Sequence, residues 1–222
     1  GQLNIACVPP RKEEMRRAAQ DLIHAVCNAG VHLCMGQTRT AEQLKDAGFE
    51  AVINAVGAHS AAPRIPGIDS VNVADAWKVL AGEQQVYGTV AVIGGGLTGC
   101  EIAYELALQG KQPVIVEMKN DLIAQTGVCL ANSSYLREWF AWKKVPVYLE
   151  TTLQEVKDDS IVCKDASGKE IIIPCDSVIS SAGYIPNPLA SKGSNVSLVG
   201  DCDSVGNLRS VVWRAYEVAM KI

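Results

Sequence analysis

Hydrophobic positions change period several times along this chain, and each change marks an element. Over residues 11–28 the apolar residues Met15, Ala18, Leu22, Ile23, Val26 and Cys27 recur at helical spacing, and Gly30 follows as a stop. The segment before it, residues 1–10, closes on Pro9-Pro10 and is expected to be a loop. Residues 31–35 are expected to form a short strand. Thr40 then precedes a short helix with Glu42 in its first turn and Gly48 at its end. Residues 51–56 make a nearly continuous apolar run closed by Gly57, the pattern of a buried strand. Beyond a rigid loop with Pro63, Pro66 and Gly67, residues 73–80 read as a short helix and residues 82–88 as a linker.

The pattern then sharpens. Residues 89–93 are a Val/Ala/Ile strand followed at once by Gly94-Gly95-Gly96-Leu97-Thr98-Gly99. A helix runs on to about Gln109, with Ile102, Ala103, Leu106 and Ala107 on one face and Gly110 as its stop. Residues 114–117 form the next strand, residues 133–143 a helix and residues 146–149 another strand. Three short strands follow at 152–156, 161–164 and 171–174, separated by Asp158-Asp159 and Ser167-Gly168 turns, which is a β-meander. Residues 177–181 are again a buried strand, closed by Gly183. Residues 196–199 form a strand ending in Gly200-Asp201, and residues 207–222 a terminal helix.

Strand, G-x-G-x-x-G and helix together are the arrangement that binds a dinucleotide. Gly94 permits the tight turn, Gly96 lets the backbone approach a pyrophosphate, and Gly99 allows close helix–strand packing; Gly95 lies between them. Backbone N–H groups at the helix start, with the positive end of its dipole, then hold phosphates. The acid expected about 20 residues further on is Glu117, which ends the second strand. A carboxylate there accepts from an adenosine 2′-hydroxyl and repels a 2′-phosphate, which favours NAD(H) over NADP(H); Lys119 nearby would soften that preference. Glu101, in the first helical turn, reads either as a carboxylate placed favourably on the helix dipole or as a residue near the nicotinamide.

Composition removes other classes. The 222 residues carry 20 Lys+Arg against 24 Asp+Glu, a net charge of -4, so there is no basic footprint for nucleic acid or an anionic membrane. No apolar run approaches the roughly 18 residues of a spanning helix, and the N-terminus lacks a signal peptide's layout, so the expected location is the cytoplasm. The 8 cysteines contain no C-x-x-C pair and suit neither a metal site nor a redox dithiol; they read as free thiols, with Cys100 and Cys202 as packing residues. His24, His32 and His59 do not cluster, and Trp139 and Trp142 read as core or interface anchors. No metal ligand is expected.

The meander inserted before the strand at 177–181 resembles the NAD(P)H domain of the pyridine nucleotide–disulfide oxidoreductase superfamily, flavoproteins that bind two dinucleotides. Asn54-Ala55-Val56-Gly57-Ala58 and Ser180-Ser181-Ala182-Gly183-Tyr184-Ile185-Pro186-Asn187 are similar to its two crossings between nucleotide domains. Leu198-Val199-Gly200-Asp201 resembles its motif in which the aspartate ends a strand and binds an FAD ribityl hydroxyl, with the following helix pointing its N-terminus toward the flavin. More narrowly, Gly1-Gln2-Leu3-Asn4-Ile5-Ala6 with Pro9-Pro10 and Lys12-Glu13-Glu14 is similar to NADH:flavin oxidoreductases of the enoate reductase, 2,4-dienoyl-CoA reductase and trimethylamine dehydrogenase group. The resemblance covers essentially the whole chain.

It implies an α/β, Rossmann-like fold. Residues 86–190 would be an NAD(P)H-binding domain carrying the meander. Residues 1–85 would be a partial FAD-binding domain whose first βαβ unit is missing, and 191–222 the return to that domain. Gly94, Gly95, Gly96, Gly99, Glu101, Glu117 and Gly183 would line the NAD site, and Gly1, Gln2, Leu3, Asn4, Gly57, Gly200 and Asp201 would be what remains of the FAD site. The chain starts at Gly1 with no methionine, and the first glycine loop, the flavin barrel with FMN, and the cysteines of an iron–sulfur cluster are expected in a preceding part of a longer enzyme. In that enzyme NADH would reduce FAD, and electrons would pass through the cluster to FMN and an unsaturated substrate; the cofactors would carry the chemistry, so no general acid or base is expected in this segment. The segment alone is expected to lack bound flavin and turnover. Competing readings are a module that binds ADP or NAD for regulation, and a thioredoxin-reductase-like or NADH-dehydrogenase-like flavoprotein; the absent cysteine pair opposes the thioredoxin-reductase reading. Homo-oligomers through an uncovered sheet edge are a further expectation.

Overall fold

The computed structural model describes residues 1–10, 12–189, 193 and 195–222. In chain order the elements are α1 (Gln2–Ala6), α2 (Glu13–Asn28), α3 (Ala41–Asp46), β1 (Val52–Asn54), β2 (Ala58–Ser60), β3 (Val73–Asp75), α4 (Ala76–Leu80), β4 (Thr89–Ile93), α5 (Leu97–Leu108) and β5 (Gln112–Val116). They continue with α6 (Leu130–Lys143), β6 (Val147–Tyr148), β7 (Thr152–Val156), β8 (Ser160–Lys164), β9 (Glu170–Pro174), β10 (Ser177–Ser180), β11 (Tyr184–Pro186), β12 (Val196–Leu198) and α7 (Leu208–Ala219). Two compact units result: one holds Gly1, Leu3–Met15 and Ser60–Gly183, the other Gln2, Arg16–His59 and Tyr184–Ile222. The expected boundary at 190–191 lies outside the described residues.

The first unit is built on a parallel five-stranded sheet of order β3-β10-β4-β5-β6. Its central strands are apolar without alternation because both faces are covered. Val90, Val92, Ile115 and Ile179 enter one core with Ile102 and Leu106 of α5 and Leu136 and Phe140 of α6. Ala91, Ile93, Val114, Val116 and Val178 enter a second core with Leu153, Ile161 and Ile173 of the meander β7-β8-β9, an antiparallel sheet. A helical layer on one face and a meander on the other make the unit a Rossmann-like α/β fold. Both strands bearing the expected chemistry, β4 and β5, end on the same side because they run parallel in register, Ile93 beside Val116.

In the second unit β1 pairs in parallel with β12, and β2 pairs with β11. Among the described residues no side chain of α3 or α7 is buried, and the apolar stripe of α2 at Leu22, Ile23 and Val26 is exposed.

Several expectations are corrected. Residues 1–10 are not all loop: Gly1 caps α1, which is too short to show a period and stops before Pro9-Pro10. Residues 31–35 form no strand; Val31, Leu33 and Met35 are exposed and pair with no neighbour strand, and apolar character alone supplies no ladder. Residues 73–80 are strand and helix, because Val73–Asp75 pairs with β10 and the Asp75 carboxylate then caps α4, accepting from Trp77 and Lys78 N–H. The strand expected at 51–56 is three residues long, with Ile53 and Val56 exposed. Helix α6 begins three residues early, at Leu130, and α2 begins at Glu13; Arg11 lies outside the described residues. The strand before Gly200-Asp201 ends at Leu198, and a single 3-10 turn, Gly200–Cys202, stands between it and α7. Asn207 caps α7 through a capping box, and the helix stops at Ala219.

Candidate functional site

Three glycines, Gly94, Gly95 and Gly96, link β4 to α5 and a fourth, Gly99, lies in the first turn of α5; their surroundings give them different duties. At Gly94, φ is +110°, and a Cβ would lie 2.2 Å from the Ser181 carbonyl oxygen. At Gly99 a Cβ would lie 1.9 Å from the Gly94 carbonyl oxygen, so the helix touches the strand end. At Gly95 a Cβ would meet Leu122 Cδ2 at 2.6 Å and Glu117 Cβ at 3.0 Å. These three are demanded by the protein itself. Gly96 is not: its φ of -67° and ψ of -179° suit any residue, and a Cβ there would meet only Gln125 Oε1, at 3.6 Å. Gly96 is the N-cap of α5 and makes no side-chain cap hydrogen bond. Open space above the start of a 12-residue helix is what close approach of a phosphate requires.

Glu117 follows β5 and is only 7% exposed. Its Oε2 accepts the Gly95 N–H at 2.6 Å and its Oε1 the Lys119 N–H at 2.8 Å, so the buried charge is compensated by two backbone donors. A carboxylate has about four lone-pair sites, which leaves acceptor capacity for a ribose hydroxyl. The Lys119 ammonium is turned to the Ala124 carbonyl at 3.1 Å. Gly183 has a φ of +99° and open space at its Cβ position, and its carbonyl accepts the Ala61 N–H at 2.9 Å.

Glu101, one turn into α5, is gripped by Lys12, which the sequence motif Lys12-Glu13-Glu14 contains without a task of its own. Lys12 Nζ lies 2.7 Å from Oε1 and 2.8 Å from Oε2. Burial pushes the Glu101 carboxyl up, and the Lys12 ammonium works against that rise. The pair opens on a cavity of about 440 Å³ bordered by Pro9, Pro10, Asn132 and the tyrosines Tyr104 and Tyr135, whose hydroxyls are 3.1 Å apart. Contact between residues 89 positions apart has no local signal.

The residues expected at a flavin are divided between the units: Gly1, Leu3 and Asn4 fall in the first, Gln2, Gly57, Gly200 and Asp201 in the second. Within the second unit, Gln2 Nε2 donates to the Ala58 carbonyl at 2.9 Å and packs on Gly57, where φ is +82°. Gly200, at φ +67°, opens the 3-10 turn, and Asp201 Oδ1 accepts the Gly206 N–H at 3.0 Å. Asn54, 5% exposed at the end of β1, has no hydrogen-bond partner among the described residues for either side-chain polar atom. A buried amide without partners is costly to fold.

All 8 cysteines are free. Burial pushes the Cys100 thiol up to about 12, and those of Cys163 and Cys175 up to about 11. Among the described residues no cluster of His, Cys, Asp and Glu is arranged to hold a metal ion, and no helix is long and apolar enough to cross a membrane.

Comparison with known proteins agrees with this geometry. A family model described as pyridine nucleotide-disulphide oxidoreductase matches residues 9–205. A bilirubin reductase of Mediterraneibacter gnavus is 39% identical over 208 residues, covering 91% of this chain and 32% of that protein. A cinnamate reductase of Clostridium sporogenes is 32% identical over 221 residues, covering 97% of this chain and 33% of that protein. In fold, a 2-naphthoyl-CoA reductase solved with 2-naphthoyl-CoA superposes with a TM-score of 0.88 at 23% identity, over 100% of this chain and 34% of that one. The chain therefore spans about a third of the length of the relatives it matches.

Proposed function

This chain belongs to the pyridine nucleotide-disulphide oxidoreductase family, and we propose that it is the NADH-binding part of a longer flavin-dependent reductase of the enoate reductase and 2,4-dienoyl-CoA reductase group. The observation that carries the reading is Gly96. Its neighbours Gly94, Gly95 and Gly99 are glycines because the protein would collide with a side chain, whereas Gly96 faces open space at a helix N-terminus.

Each residue has a physical task in this reading. The first N–H groups of α5, with the positive end of its dipole, hold a pyrophosphate. Glu117 accepts from a ribose hydroxyl and disfavours a 2′-phosphate by like charge, so NADH binds better than NADPH. The chemistry supplied by the bound groups is hydride donation from nicotinamide and hydride acceptance by flavin. The ion pair of Lys12 and Glu101 supplies a fixed dipole at the second turn of α5. In the second unit, Gln2, Gly57 and Asp201 would hold FAD, and the unpartnered amide of Asn54 supports a polar occupant there. The relatives' names support an unsaturated or conjugated substrate, reduced in a part of the protein beyond this segment where FMN and an iron–sulfur cluster would sit.

The test is a calorimetric titration of the purified chain with NADH and, separately, NADPH. Saturable NADH binding, tighter than NADPH, is expected. No heat of binding with either nucleotide would overturn the reading.

A further inference from the structure

We propose that Arg137 is a positioning residue for the dinucleotide loop, acting through Ile123 and Gly95 without touching the ligand. The proposal rests on the reading that this loop holds a dinucleotide.

Gly95 is held from two sides. Its N–H donates to Glu117, and its carbonyl accepts the Ile123 N–H at 2.7 Å and the Cys100 thiol at 3.3 Å. The carbonyl of Gly95 and the N–H of Gly96 belong to one planar peptide group and point in opposite directions. Whatever turns the Gly95 carbonyl toward Ile123 therefore also aims the Gly96 N–H, a donor at the start of α5. Ile123 thus sets a group that the phosphate meets.

Ile123 does this from an unfavourable conformation. Its φ is 52°, in the left-handed region where a β-branched side chain is a real outlier. Such backbone persists only where the surroundings impose it. Part of the imposition is burial, since Leu122 and Ile123 both lie in the core shared with α5 and α6. The rest comes from the Arg137 guanidinium on α6, 14 residues away. Its Nε donates to the Leu122 carbonyl at 3.0 Å, its Nη2 donates to the same oxygen, and Nη2 also pairs with Asp121 at 2.9 Å. One side chain thus fixes the two residues before the strained one. The turn closes with Gln125 N–H on the Ile123 carbonyl at 2.8 Å, which leaves Gln125 Oε1 beside Gly96. Helix α6 thereby acts on the glycine loop across the two elements, α5 and β5, that separate them in the chain.

The experiment uses the full chain and four proteins: unchanged, Arg137→Met, Arg137→Lys and Asp121→Asn. NADH affinity is read by calorimetry at a temperature where melting curves show each protein folded. Loss of a charged donor pair predicts about tenfold weaker NADH binding for Arg137→Met. Arg137→Lys, which restores one donor to the Leu122 carbonyl, is expected near threefold weaker, and Asp121→Asn, which keeps the grip on Leu122, within about twofold of unchanged. Amide hydrogen exchange without ligand is the second readout: the Ile123 N–H should exchange at least about tenfold faster in Arg137→Met. A purely structural role would lower the melting temperature while leaving both the affinity of the folded protein and Ile123 exchange unchanged, and that result overturns the proposal. Should Arg137→Met not fold, the same comparison is read from Arg137→Lys, with both effects smaller. If the unchanged chain binds no NADH, the dinucleotide reading falls and this proposal's ligand with it. Ile123 exchange then reports on the hold on Gly95 alone.

Discussion

The backbone N–H of Gly95 donates to Glu117 Oε2 at 2.6 Å, tying the glycine loop at the end of β4 to the acid at the end of β5. Glu117 is therefore structural, and under the proposed function it would be a ligand group as well. Glu117→Gln should cost about 1–3 kcal/mol of stability, because two backbone donors lose a charged acceptor. It should also weaken NADH more than NADPH and so narrow the difference between them. Denaturant unfolding and paired calorimetric titrations check the two halves. An unchanged NADH-to-NADPH ratio would remove Glu117 from cofactor selection.

The ion pair of Lys12 and Glu101 makes stability depend on pH. Burial raises the Glu101 carboxyl above its unfolded value of 4.5, so the folded state takes up a proton first and stability falls as pH rises from about 4.5 through the folded value. Lys12 limits that fall. Lys12→Met should therefore cost little at about pH 4.5 and, discounted for partial exposure, about 2 kcal/mol at about pH 7.5. Urea unfolding at both values checks it, and an equal cost at each would contradict the assignment.

Alkylation should sort the cysteines by burial. Cys27, Cys34 and Cys129 are exposed and should be modified quickly in the native protein at about pH 8. Cys7, Cys100, Cys163, Cys175 and Cys202 are buried, and Cys100, Cys163 and Cys175 are further protected by raised thiol values. Mass mapping after a short pulse of iodoacetamide reads the result. Rapid labelling of Cys100 would mean that the glycine loop opens.

Three of the glycines test packing. Gly94→Ala and Gly99→Ala place a Cβ 2.2 Å and 1.9 Å from backbone oxygens, and Gly95→Ala places one 2.6 Å from Leu122. Each should destabilise the fold by about 2–4 kcal/mol, visible as a lower melting temperature. Backbone oxygens cannot step aside, so Gly94 and Gly99 should suffer more than Gly95.

What was legible in the sequence follows the range of the forces. β4, the glycines, α5 and β5 are local and periodic, and so is the meander, whose turns separate strands that pair with their neighbours in sequence. Residues 73–75 looked helical because their strand character comes from β10, about a hundred residues on. Residues 31–35 have strand-like composition but no partner. In the site, Gly95 and Glu117 were recognisable as types, but their hydrogen bond was not. Lys12, Ile123 and Arg137 act through contacts distant in sequence or through a backbone angle, neither of which leaves a pattern.

The central claim is that Gly96 is glycine for a ligand and not for the protein, and Gly96→Ala tests it most directly. Its φ and ψ accept alanine and its Cβ meets only Gln125 Oε1 at 3.6 Å, so stability should change by less than about 1 kcal/mol. Calorimetric titration with NADH should nevertheless show affinity weakened by about tenfold or more, as a methyl group stands where a phosphate approaches. Binding of NADH by Gly96→Ala as tight as by the unchanged chain would contradict the account.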